Sequence, residues 1–269
     1  MSFSITQFGL KEMLRCGLDL RRQTAEAATL EELAQDVVRY FYDNCRTPDG
    51  DRECVLARFY KTHAYGDLPD DLQAFARGAL ADQAPTPQMQ CLTLLGTAGD
   101  KPGWNARQAS QGHQAIPLPS VQMVEQAPMI AELIRAMGMD VRAVVTPHPE
   151  LIQGMEGKTF NVFFVPQAAG SAYIPAQDFV REYGVRSVLG FGGVLVRGEF
   201  YAVVLFTRVS IPAESADRFR NVALDLKLAI SSAGMDTTFG TPSAVAAEAA
   251  EAEDAEAEDP AESAGAAAD

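Results

Sequence analysis

The chain is poor in the residues that announce chemistry. Of its 269 residues, one is Trp, three are His and four are Cys. His63, His113 and His148 lie far apart, so no i, i+3 or i+4 pair can grip a metal from one helix face. No metal site is expected. Cys16, Cys45, Cys54 and Cys91 show no CxxC spacing and fall on separate elements, which points to free thiols in a cytoplasmic protein. No apolar run approaches the ~20 residues of a membrane span, and the first residues lack a signal-peptide charge order. Basic residues stop at Lys227, and nine acidic ones lie between Glu248 and Asp269. The net charge of −14 argues against nucleic acid or an anionic membrane as partner. There is no G-x-S-x-G. The "GFGG" at Gly190–Gly193 has no Lys after it and leads into a strand. Neither a nucleophile elbow nor a phosphate loop is expected, and no catalytic residue is assigned.

What is present is enough apolar material for a core, 47% of the residues. Residues 5–23 read as a helix with a narrow stripe of Leu10, Leu14 and Leu18, joined by Met13 and Gly17. So narrow a stripe suits a partner helix as well as the chain's own core. Thr29 and Glu32 form a capping box. Leu30, Leu33, Ala34, Val37, Val38 and Phe41 then mark one buried helical face. "ECVLARFYKT" and "MQCLTLLGT" read as strands, with a short helix "LPDDLQAFARGAL" between them. "SVQMVEQAPMIAELIRAMGM" reads as a helix that breaks or restarts at Pro128. "VRAVVTPHPEL" reads as a short strand or extended segment, and "KTFNVFFVPQA" as a strand. "IPAQDFVREYG" is a short helix ended by Gly184. Two strand-like runs flank the tight turn at Arg197–Gly198, as in a hairpin. A last helix opens at Ser210 and Pro212. From residue 236 on, Ala, Glu and Asp dominate, and such a segment cannot offset the entropy of ordering.

That order predicts an α+β fold, an antiparallel sheet of five or six strands with helices packed on one face. It resembles a GAF domain, the sensory fold related to PAS. "TLEELAQDVVRYFYDNC" looks like the first helix of such domains, "VRSVLGFGGVLVRGEFYAVVLF" like their terminal hairpin, and "AESADRFRNVALDLKLAI" like their closing helix. The resemblance divides the chain into an N-terminal helix at 1–28, a GAF-like domain at 29–235 and an acidic tail at 236–269. It is similar to the sensor modules placed before output domains in bacterial histidine kinases and cyclases. Two departures stand out. The insert after the second strand is long, and no kinase or cyclase motif is found in the chain. The resemblance therefore implies a cytoplasmic sensory or regulatory module without its own output domain. It would bind a small molecule or a signalling protein and form a homodimer through the helix at 5–23 and the closing helix. It names no cofactor.

Some GAF-fold proteins reduce free methionine sulfoxide through cysteines, which makes a small redox enzyme the alternative, with Cys45 or Cys54 as the thiol. The neighbours Asp49, Asp51 and Glu53 would raise a thiol pKa there rather than activate it. A third alternative is a structural adaptor whose pocket is filled by its own side chains. The candidate ligand-binding groups cluster on the loop "WNARQASQGHQAIPLPS". Trp104, Asn105, Arg107 and His113 supply stacking, charge and hydrogen bonding, with Tyr173 and Arg186 on other elements to complete a pocket. The same groups would equally serve to tie the loop shut by bonding its own carbonyls.

Overall fold

The computed structural model describes residues 2–80, 83–147, 162–232 and 237–240. Six strands form one sheet in the order β3-β2-β1-β6-β5-β4, every neighbouring pair antiparallel. They are β1 (Cys54–Ala64), β2 (Gln90–Gly99), β3 (Ala115–Leu118), β4 (Val162–Val165), β5 (Ser187–Val194) and β6 (Phe200–Thr207). The two central strands, β1 and β6, are buried along nearly their whole length, as strands covered from both sides must be. The edge strand β3 contains Pro117, which an interior strand would not tolerate. The β5–β6 hairpin closes through a four-residue turn at Leu195–Gly198, where the Gly198 N–H donates to the Leu195 carbonyl at 2.9 Å.

The long helices pack on one face, as expected. They are α1 (Leu10–Thr24), α2 (Leu30–Asn44) and α9 (Phe219–Ser232). The cap of α2 forms as the sequence indicates, since the Thr29 hydroxyl accepts from the Glu32 N–H at 3.2 Å. Glu32 reaches one residue further back than a regular capping box, to the Ala28 N–H at 2.8 Å. All six residues of its expected apolar face are buried. An aromatic cluster binds this layer together. Phe41 of α2 meets Phe191 of β5 edge-on at 5.3 Å, and Phe219 of α9 lies 5.2 Å from Phe191 and 4.5 Å from Phe8.

On α1 the two halves of the apolar stripe part company. Cys16, Gly17 and Leu20 are buried, while Leu10, Leu14 and Leu18 are 58–64% exposed. The inward face carries smaller residues because α9 comes very close: a Cβ at Gly17 would sit 2.1 Å from an Asp225 carboxylate oxygen. Arg21 pairs with the same Asp225 at 3.4 Å.

The other sheet face is covered too, which goes beyond the expectation of helices on one side. Short helices α4 (Val121–Glu125), α5 (Pro128–Ala136), α6 (Val141–Val145) and α7 (Gln177–Glu182) lie over it and build a second apolar cluster. The long insert supplies α4, α5 and α6, and the connection from β4 to β5 supplies α7. Ser120 caps α4, accepting from the Met123 N–H at 3.3 Å, and Pro128 opens α5 at its first turn, so the break lies where proline places it. The segment "VRAVV" is a helix and not the expected strand. Asp140 caps it through the Arg142 N–H at 2.8 Å, and Val141 and Val144 are buried in the second cluster. Local capping and burial outweigh the β preference of valine there. The remaining helices are α3 (Asp70–Ala79), beside β3, and α8 (Ala213–Asp217), before α9.

Most of the expected tail lies outside the described residues, but 237–240 do not dangle. The carbonyls of Thr237 and Thr238 accept from the Leu30 and Glu31 N–H groups at 3.2 and 2.9 Å. Those are orphan donors of the first turn of α2, so this short strap caps the helix. Phe239 anchors it, its ring 5.4 Å from that of His63.

Candidate functional site

Between the second sheet face and the insert lies a cavity of about 360 Å³. Its floor is made by Leu56, Arg58 and Tyr60 of β1, Leu92 of β2, and Val204 and Phe206 of β6. Its roof is the start of α5, from Ala127 to Leu133, and its side is Ile174, Pro175, Ala176 and Phe179. Trp104 and His113 come in from the loop between β2 and β3. The volume falls within the roughly 300–1,000 Å³ of small-molecule sites, and the mostly apolar wall with a few convergent polar groups is their usual chemistry.

The six sequence candidates divide. Trp104 and His113 line the cavity. The Trp104 ring lies 4.9 Å from the ring of Tyr183 and 5.7 Å from that of Phe179, with the Lys101 ammonium 5.6 Å from its face. His113 stands at the mouth with φ of 62°, a left-handed conformation that non-glycine residues seldom adopt. Partial loss of water, and then the nearby Arg58 charge, push its pKa below the usual histidine value.

Asn105 and Arg107 tie the loop down. The Asn105 side chain accepts from the Gly99 N–H at 3.1 Å and donates to the carbonyls of Gly99, Lys101 and Pro102. The buried Arg107 guanidinium donates to Glu31 at 2.7 Å and to Asp71 at 2.9 Å, bridging the first turns of α2 and α3. Tyr173 and Arg186 are exposed and do not line this cavity. Tyr173 instead packs edge-on to Phe163 at 6.4 Å.

Arg58 is the polar group that the sequence reading did not single out. Nη1 donates to the Tyr60 hydroxyl and Nη2 to the Ser110 hydroxyl, each at 3.2 Å, and the buried Nε finds no partner among the described residues. The signal was available in "VLARFYKT". Leu56, Arg58 and Tyr60 alternate onto one sheet face, and a cation between two apolar side chains of that face demands a reason.

Among the described residues, no group of three or more His, Cys, Asp or Glu is placed to hold a metal, and no helix is long and apolar enough to cross a membrane. His148 lies outside the described residues. All four cysteines are free and buried, and none lines the cavity. Burial pushes Cys54 and Cys91 up to about 12, and Cys45 well above the usual thiol range, its pKa raised further by Cys54 and Glu53.

No family model and no curated protein matches the sequence. Similar solved structures include the GAF domain of a phosphoenolpyruvate-protein phosphotransferase from Coxiella burnetii. It is 12% identical over 82% of this chain and 94% of that one, with a TM-score of 0.44. Two bilin-bound GAF domains from cyanobacterial phytochromes also overlay. The phycocyanobilin one is 8% identical over 82% of this chain and 94% of that one, with a TM-score of 0.41. The phycoerythrobilin one is 9% identical over 87% and 98%, with a TM-score of 0.39. Scores below 0.5 decide nothing by themselves. The six antiparallel strands with long helices on one face are the α+β architecture expected from the sequence, and the insert-covered second face is an addition to it. The fold is similar to that of solved GAF domains. Within this GAF-like frame the cavity lies on the side opposite α1, α2 and α9, under the long connection from β2 to α5.

Proposed function

We propose that the chain is a ligand-sensing module of signal transduction, with a small molecule held in the cavity between β1, β6 and α5. The observation that carries this reading is the cavity itself, an apolar space about 360 Å³ in volume that the chain's own side chains leave unfilled. An adaptor with a self-filled pocket would not leave it, because interiors otherwise pack to crystal density. The redox alternative has less support. A thiol chemistry needs an accessible thiolate, and the four thiols are buried away from the cavity with raised pKa values.

The loop between β2 and β3 supplies the route from ligand to helices. Trp104 and His113 face the ligand space, and three residues from Trp104, Arg107 holds the first turns of α2 and α3. A ligand that shifts the loop is felt at α2, which packs on α1. Native mass spectrometry of the purified chain tests the reading, followed by thermal-shift screening of small apolar molecules. A copurified mass, or a ligand that adds about 2.7 kcal/mol at a hundredfold excess over its Kd, is expected. An empty chain that no such molecule stabilises would count against it.

Self-association has its own observation. Leu10, Leu14 and Leu18 of α1 and Leu224 and Leu228 of α9 are all at least 41% exposed, on helices that touch at Gly17 and Asp225. A leucine face is complementary to itself, so a second copy of the chain is the proposed occupant. Leu14→Asp with Leu18→Asp should turn a dimer into a monomer in sedimentation at micromolar concentration, with little loss of stability because both side chains face water. A parent that sediments as a monomer refutes it.

A further inference from the structure

The cavity reading leaves the chemistry of the ligand open, and Arg58 narrows it. A guanidinium has five N–H donors and is charged at any physiological pH. Here two donors go to neutral hydroxyls, those of Tyr60 and Ser110, and Nε has no partner among the described residues. The chain does pair its other loop-side guanidinium, Arg107, with two carboxylates. Arg58 has no such carboxylate among the described residues, although it forms part of an otherwise apolar floor with Leu56, Leu92 and Val204. A cation placed against apolar walls without an anion is costly unless a charge arrives from outside. Tyr60 and Ser110 each take one N–H of a terminal nitrogen, which leaves the second N–H of Nη1 and of Nη2 for two-pronged recognition of an anion.

Resting on the ligand-sensing reading, we propose that the ligand is a small amphiphilic acid, with one carboxylate paired to Arg58 and an apolar body lying beneath α5 and against Trp104. Size limits it further. A cavity of about 360 Å³ lies at the small end of the roughly 300–1,000 Å³ of small-molecule sites, which suits a medium-chain fatty acid or an arylalkanoic acid. The two share the chemistry that matters here, an acid head and an apolar body.

The chain carries its own reporter, since Trp104 is its only Trp and lines the cavity. The purified full chain is titrated at pH 7.5 with octanoate, octan-1-ol and octylammonium below micellar concentrations, and with 4-phenylbutyrate and 4-phenylbutanol, while Trp104 emission is read. The acids are expected to bind at least tenfold tighter than the matching alcohols, and octylammonium more weakly than either octyl probe. Stronger binding of 4-phenylbutyrate than of octanoate would identify the arylalkanoic class, and the reverse order the fatty acid. Arg58→Met should weaken acid binding at least tenfold and change alcohol binding less than threefold. Alcohols that bind the parent as tightly as the acids would overturn the acid assignment alone and leave the cavity reading standing. Emission and melting temperature unmoved by every probe would overturn both. The comparison of probes on the parent needs no variant, so the proposal stays exposed even if Arg58→Met fails to fold.

Discussion

Gly96→Val is expected to abolish the native fold at 37 °C or to lower its melting temperature by more than 10 °C. The reason lies in the contact between β2 and α2. A Cβ at Gly96 would stand 2.5 Å from the Ala34 carbonyl oxygen, 2.6 Å from its carbon and 2.8 Å from the Gln35 nitrogen. All three are backbone atoms in the middle of a helix, so none can rotate aside. Either α2 lifts from the sheet or β2 buckles. Lifting α2 strips cover from Leu33, Val37 and Phe41, whose burial anchors the whole helical layer. It also breaks the pair of bonds between the Gln35 side chain and the backbone of Thr97, 2.9 Å to its carbonyl and 3.1 Å from its N–H. Overpacking in a rigid site costs about 1–3 kcal/mol, and more where backbone rather than side chain must move. Thermal denaturation of Gly96→Ala beside Gly96→Val checks the mechanism. A graded loss, small for Ala and complete for Val, would mean that the helix yields; equal, near-complete losses would mean that the first Cβ is already excluded. A Val variant that melts with the parent would refute the contact.

That glycine also shows what a sequence can and cannot carry. "MQCLTLLGT" reads as an apolar strand on its pattern, and the glycine reads as the strand's end. In the fold the strand runs on to Gly99, and Gly96 marks where a helix crosses it. The helical face of α2 was legible in full because its period is local and its cap is local. The α1 stripe was legible as a stripe but not as to its direction. Leu10, Leu14 and Leu18 are larger and more apolar than the face that is in fact buried, and only the close approach of α9 explains why Gly17 is inside. The helix α6 was misread because valines favour strands on average while one aspartate cap and a buried cluster settle this case. At the site, the loop from Trp104 to Ser120 was legible as unusual, and two of its members line the cavity. Arg58 was legible only as a cation on the face shared by Leu56 and Tyr60, since nothing local shows that the sheet face there is hollow. The strap at 237–240 escaped as well. Its anchoring is made by backbone carbonyls that any residue supplies, and Phe239 is a single aromatic in a short polar run.

Arg107→Met should destabilise the chain by about 2–3 kcal/mol and loosen the loop that carries Trp104. Arg107 is 5% exposed and bridges Glu31, at 14%, and Asp71, at 52%. Removing one member of a buried charge pair typically costs about 3–5 kcal/mol, because the partner is left buried and uncompensated. Three facts reduce that figure here. Asp71 is half in water and keeps its hydration. Glu31 retains the Gln108 amide at 3.2 Å and the Gly240 N–H at 3.0 Å. Both carboxylates lie in the first turns of their helices, where the helix dipole favours negative charge. Methionine keeps the apolar stem but loses the guanidinium fork together with its approach to the Phe239 ring at 5.8 Å. The expected fall in melting temperature is roughly 5–10 °C for a domain of this size. Glu31→Gln made alone should cost less, since it leaves no buried anion, and in the Arg107→Met background it should recover part of the lost stability for the same reason. A double-mutant cycle on these two sites measures the coupling directly. The cycle also separates the two roles of the loop. If Arg107 only anchors it, octanoate affinity in Arg107→Met should fall no further than loop mobility at Trp104 predicts, while stability falls in full. If stability were unchanged, the bridge between α2, α3 and the ligand-facing loop would not be the strut that its geometry describes.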